Sequence, residues 1–70
     1  MSYKLTRASW LALMVARCTG VLLIRMQPEQ AYTDRELLAL LADGGLNYSA
    51  ALIREIGREL VRTGVIEVVS

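Results

Sequence analysis

Four interruptions in an otherwise helix-forming chain decide most of what it can become: Pro28, the tetrad Thr33-Asp34-Arg35-Glu36, the pair Gly44-Gly45, and Gly64. Proline lacks the N–H a helix needs and disfavours helical geometry in the residue before it, so a helix over residues 6–26 must end there. The tetrad is a capping box, in which the Thr33 hydroxyl and the Glu36 carboxylate each satisfy an orphan backbone donor. A second helix therefore starts at Asp34 and runs through Leu37, Leu38, Leu40 and Leu41 to about Asp43, where Gly44-Gly45 supplies a sharp turn. Asn47 is the expected N-cap of a third helix, which spans about residues 48–63 and stops at Gly64 in the left-handed cap position. The run Val65-Ile66-Glu67-Val68-Val69 is β-branched and reads as a strand. A lone strand leaves its backbone groups unpaired, and Ala31-Tyr32-Thr33 is the other extended candidate, so the two are expected to pair.

Hydrophobic periodicity sharpens this outline. In the third helix Leu52, Ile53, Ile56 and Leu60 share one face, while Arg54, Arg58 and Arg62 recur every fourth residue on the other. The first helix is apolar nearly all round. Trp10, Met14, Cys18 and Val21 mark one face, Leu11, Val15, Leu22 and Met26 an adjoining one, and Leu13 and Ile24 much of the rest. Two packed helices cannot bury all of it, and monomers rarely expose a continuous apolar patch beyond a few hundred Å². The expectation is a two-fold homodimer whose seam is Trp10, Met14, Cys18 and Val21. Gly20 is either a device for close approach at that seam or a tolerated defect in the helix.

With 54% hydrophobic residues in 70, the chain reads as one folded domain over residues 1–70. A core of this size needs support. Cys18 is the single cysteine and histidine is absent, so an intramolecular disulfide and a Cys/His zinc site are both excluded, and no metal or other cofactor is expected. Support from a second subunit remains. The apolar stretch 8–24 falls short of a bilayer span and carries Arg17 at its centre, so no membrane insertion is expected. An unpaired thiol among apolar neighbours fits a cytoplasmic setting. Gly44-Gly45 lacks the Lys/Ser of a phosphate loop, and the first-turn carboxylates Asp34 and Glu36 are explained by capping and the helix dipole. Without a nucleophile–base pair, an enzyme is not expected, nor is a small-molecule substrate.

The order is long helix, short strand over 31–33, capped helix over 34–41, glycine turn, amphipathic helix from Asn47, and a strand after Gly64. Together with the ending Leu-x-x-x-Gly-x-Ile of residues 60–66, this order resembles the winged helix-turn-helix family. In size and layout the chain is also similar to the small winged-helix proteins encoded by Mu-like prophages. The resemblance implies a mostly α, three-helix domain with a minimal two-strand β element. It also implies a truncated wing, since the sequence stops at Ser70 without a loop and returning strand. It implies double-stranded DNA as partner, with the third helix entering the major groove. Carried over by residue, Tyr48, Ser49, Ala50 and Arg54 face the bases, with Asn47, Arg58, Thr33 and Arg35 near the phosphates.

Charge distribution both supports and opposes that function. Eight Lys+Arg against seven Asp+Glu leave a net charge of +1, so attraction to a polyanion must be local. Residues 1–26 carry Lys4, Arg7, Arg17 and Arg25 with no acid, whereas 27–46 carry four acids against Arg35. Lys4 and Arg7 either extend a basic surface beside the third helix or form a frayed terminus. Glu55 and Glu59 lie three residues before Arg58 and Arg62 and are placed to neutralise them. Tyr48 either stacks on nucleic acid or closes the core with its ring. The competing reading is a non-enzymatic protein-interaction or structural module that keeps the helix-turn-helix scaffold and dimerises through its first helix.

Overall fold

The computed structural model describes residues 1–69 and contains three helices: α1 (Arg7–Arg25), α2 (Asp34–Asp43) and α3 (Ala50–Arg62). Each begins on a hydroxyl cap. Thr6 accepts from the Ser9 N–H, Thr33 from Glu36, and Ser49 from Leu52. The Thr33 capping box is complete, because the Glu36 carboxylate accepts the Thr33 N–H in return at 3.0 Å. The cap of α3 is Ser49, not Asn47: a cap side chain must reach the N–H three residues on, and the helix starts at Ala50.

Two helices end in the same way. At the end of α2, Leu46 N–H donates to Leu41 O and Gly45 N–H to Ala42 O, both at 2.9 Å. After α3, Val65 N–H donates to Leu60 O at 2.9 Å and Gly64 N–H to Val61 O at 3.1 Å. Both are Schellman motifs, which require a left-handed residue, and Gly45 (φ 85°) and Gly64 (φ 80°) fill that position. Leu46 and Val65, the residues just beyond, fold back onto the core. The loop after α1 turns at Pro28-Glu29, where Gln30 N–H donates to Gln27 O at 3.4 Å. The Tyr32 hydroxyl accepts the Gln27 N–H at 2.8 Å and ties the loop to the end of the helix.

The expected β element is absent among the described residues, and the wing with it. Each candidate strand has part of its backbone taken by a neighbouring cap. Thr33 gives its N–H to Glu36 and its carbonyl to Leu37, while the Val65 and Ile66 N–H groups both donate to Leu60 O. With these groups committed, no ladder forms between the two segments.

The core is a single cluster of Met14, Cys18 and Leu22 from α1, Leu41 from α2, and Ile56 and Leu60 from α3. The α1 contribution recurs every fourth residue, a single stripe on the helix. Leu52 and Ile53 flank it on α3 and Leu37 and Leu40 on α2, in line with the apolar faces read from sequence. The backbone of helix α1 runs close to both others, whereas the backbones of α2 and α3 stay farther apart and the two helices meet through core side chains, Leu41 in one cluster with Ile56 and Leu60. A groove lined by Leu38, Gly57 and Val61 lies between the two helices. Met14 and Cys18 were expected at a dimer seam; they are 5% and 0% exposed within one chain and offer nothing to a second copy. Val21 is half-buried against the core and Gly44, and Trp10 keeps 39% of its surface. The face of α1 turned outward is a different one, carrying Leu13, Gly20, Leu23 and Ile24, with Leu23 and Ile24 72% and 85% exposed. By length and composition α1 is apolar enough to cross a membrane, contrary to the expectation from its shortness, with a mean hydropathy of 1.5. In this fold its central stripe is committed to α2 and α3.

Candidate nucleic-acid interface

Successive residues of an α-helix turn by 100°, so the burial of Ile56 and Leu60 fixes the opposite face of α3 as Ala50, Ala51, Arg54, Arg58, Val61 and Arg62, all exposed. Ala50 and Ala51 at the start of this face are small and leave the helix backbone open to close approach. The arginines differ in their commitments. Arg62 is held by Glu59, with Nε and Nη2 donating to one carboxylate oxygen at 2.9 and 2.6 Å. That contact lowers the Glu59 carboxyl below its ordinary range and raises the Arg62 guanidinium. Arg54 and Arg58 make no ion pair or side-chain hydrogen bond among the described residues. Glu55, which the sequence placed to neutralise Arg58, points elsewhere and accepts from Arg7 Nη2 at 2.8 Å.

The Arg7–Glu55 pair brings the start of α1 beside α3. It also spends the charge. The guanidinium is bonded to Glu55 and lies 5.9 Å from the centre of the Trp10 ring. With both side chains partly in water, the pair contributes about 0–1 kcal/mol. Lys4, on the exposed segment before α1, has no partner among the described residues.

The remaining expected contact residues separate into two groups. Asn47 and Ala50 are exposed at the entrance to α3. Ser49 has its hydroxyl engaged as the N-cap, accepting the Leu52 N–H at 3.2 Å. Tyr48 packs its ring on the core, and its hydroxyl oxygen is buried without a partner among the described residues, so it is not presented to a ligand. Arg35 is exposed on α2 and Thr33 is occupied by its capping box. Sequence reasoning did not single out Ala51, although helical spacing from Arg54 and Arg58 identifies it as part of the same outward face. No protein-family model matches the chain, and neither a curated protein nor a solved structure matches it. No cluster of His, Cys, Asp or Glu able to hold a metal ion occurs among the described residues.

Proposed function

We propose that this is a small dimeric helix-turn-helix protein of the winged-helix kind that binds double-stranded DNA through α3. The observation that carries the reading is the state of two arginines. Arg54 and Arg58 stand one turn apart on an outward face with no carboxylate partner among the described residues, while the other cations beside them, Arg7 and Arg62, are each neutralised. A guanidinium free of intramolecular pairing binds phosphate oxygens or a guanine edge bidentately. Ala50 and Ala51 leave room for the groove, Asn47 offers an amide to bases or backbone, and Lys4 adds a charge near the start of α1. Base contacts through Tyr48 and Ser49 do not form part of the reading. A cytoplasmic location belongs to it, supported by the free, buried Cys18.

An anisotropy titration with a mixed-sequence duplex tests it. A binder that uses both arginines on phosphates loses affinity steeply between about 50 and 200 mM salt, with each neutralised phosphate adding ~0.9 to the slope of log K against log salt. The double variant Arg54→Ala/Arg58→Ala should flatten that slope by ~2 if both touch phosphate. No detectable binding at ~50 mM salt removes the DNA reading.

A second reading, a protein-interaction module, is favoured by the outward apolar face of α1. A partner gripping that face keeps its affinity for the Arg54→Ala/Arg58→Ala variant, which separates the two.

A further inference from the structure

Two segments outside the helices have matching chemistry and cannot reach each other within one chain. Residues 1–6 alternate strictly, with apolar Met1, Tyr3 and Leu5 between polar Ser2, Lys4 and Thr6. That period of two is the pattern of a strand, and Thr6 has extended backbone. Nothing covers the apolar set: Met1, Tyr3 and Leu5 are 109%, 85% and 79% exposed. Residues 65–69 are the second segment, β-branched at four of five positions, with Val68 and Val69 77% and 71% exposed. Its two ends of the molecule are distinct. The Arg7–Glu55 pair sets the start of α1 beside the middle of α3, whereas Val65, Ile66, Glu67 and Val69 border a cavity shared with Leu22, Leu23 and Met26 at the other end of α1. A helix of 19 residues puts ~28 Å between them.

We propose that residues 2–6 of one copy add as an antiparallel strand to residues 65–69 of a second copy, and reciprocally, closing a two-fold dimer. The proposal rests on the dimeric part of the function proposed above and names its contacts. One register satisfies charge, apolar pairing and backbone at once, with Lys4 opposite Glu67. Tyr3 then faces Val68, and Leu5 faces Ile66, aromatic–β-branched and aliphatic pairs of the kind that stabilise sheets.

The backbone selects the same register. Val65 and Ile66 N–H groups are already given to Leu60 O, so neither can serve as a ladder donor. With Lys4–Glu67 and Ser2–Val69 as the hydrogen-bonded pairs, the ladder needs the N–H and C=O groups of residues 2, 4, 67 and 69. None of these makes a backbone hydrogen bond among the described residues. Leu5–Ile66 and Tyr3–Val68 become non-hydrogen-bonded pairs, where side chains approach most closely. Pairing of residues 65–69 with their own copy about a central Glu67 sets two carboxylates opposite each other, and pairing of residues 2–6 about Lys4 does the same with two ammonium groups. Charge therefore favours the exchanged arrangement over either self-pairing. Antiparallel α1 helices bring each N-terminal segment to the partner's 65–69 and cover the outward face of α1 with its own copy. Lys4 is then a partner contact, and DNA affinity rests on Arg54 and Arg58.

Charge reversal measured by sedimentation equilibrium tests the pairing, with far-UV circular dichroism to confirm retained helix. Lys4→Glu or Glu67→Lys alone should weaken dimerisation about tenfold, because each dimer carries the pair twice, and the double variant should recover to within about threefold of the original. Independently, mixing a Leu5→Cys chain with an Ile66→Cys chain under mild oxidation should give a disulfide-linked pair, since a non-hydrogen-bonded antiparallel site has the Cα separation a disulfide needs. A dimer indifferent to both reversals, with no cross-link, overturns the exchange while leaving a dimer in place. A monomer at ~100 µM overturns both, and DNA binding is read separately in the titration above.

Discussion

Replacing Gly44 with alanine probes the seam on which the arrangement of α2 depends. Gly44 has φ −83° and ψ 5°, a conformation open to any residue, so alanine meets no backbone penalty there. The obstacle is a neighbour. A Cβ on Gly44 would sit 2.7 and 2.9 Å from the two γ-methyls of Val21 on α1, closer than carbon atoms pack. Val21 has a short, branched side chain fixed at χ1, so relief requires α1 and α2 to separate. Overpacking of this kind costs about 1–3 kcal/mol, against a gain of ~0.4–1 kcal/mol from the stiffer unfolded chain. The expected net loss is about 1–2 kcal/mol, a fall in Tm of roughly 4–8 °C per kcal/mol in a domain of this size. Urea unfolding followed by far-UV circular dichroism measures it, at one fixed protein concentration because association shifts apparent stability. In a Val21→Ala background both offending methyls are gone, and Gly44→Ala should become neutral or stabilising by a few tenths. The double-mutant cycle should therefore show a coupling of about 1–2 kcal/mol. Equal loss in both backgrounds, or none in either, refutes the close approach of the α2 terminus to α1.

Other perturbations test other parts of the molecule. Tyr48→Phe deletes a buried hydroxyl oxygen that has no partner among the described residues; stability should rise by up to ~1 kcal/mol in the same urea assay, and a loss would mean the hydroxyl is satisfied. Burial pushes the Cys18 thiol above its ordinary value of 9.0. The unfolded chain then releases this proton at lower pH than the folded one, so stability should be intact below pH 9 and decline above it, a slope that Cys18→Val removes. Glu29 has φ 67°, a left-handed conformation that disfavours side chains; Glu29→Gly should stabilise by about 0.5–1 kcal/mol net of the added chain entropy, and thermal melts giving no gain would place the strain elsewhere.

What could be read from the sequence was what local chemistry decides. The Thr33–Glu36 box, the bounds of α2 and the cap at Gly64 each depend on hydrogen bonds within a few residues. The amphipathic face of α3 was legible because its arginines and aliphatics separate cleanly. The buried side of α1 was not, since a helix apolar in nearly every direction has no preferred face until α2 and α3 choose one. They chose Met14, Cys18 and Leu22, and left out Leu13, Leu23 and Ile24. The strand failed for a different reason. β-propensity in residues 65–69 is real, but a ladder needs free donors, and the Schellman turn after α3 had taken two of them. Pairing of Glu55 with Arg7 rather than Arg58 spans 48 residues and lay beyond any rule of helical spacing.

The backbones of α2 and α3 both run close to α1 and farther from one another, so the buried stripe of α1 is the common seat on which the other two helices are placed. How Met14, Cys18 and Leu22 seat Leu41 on one side and Ile56 and Leu60 on the other therefore also decides where Arg54 and Arg58 stand relative to Arg35.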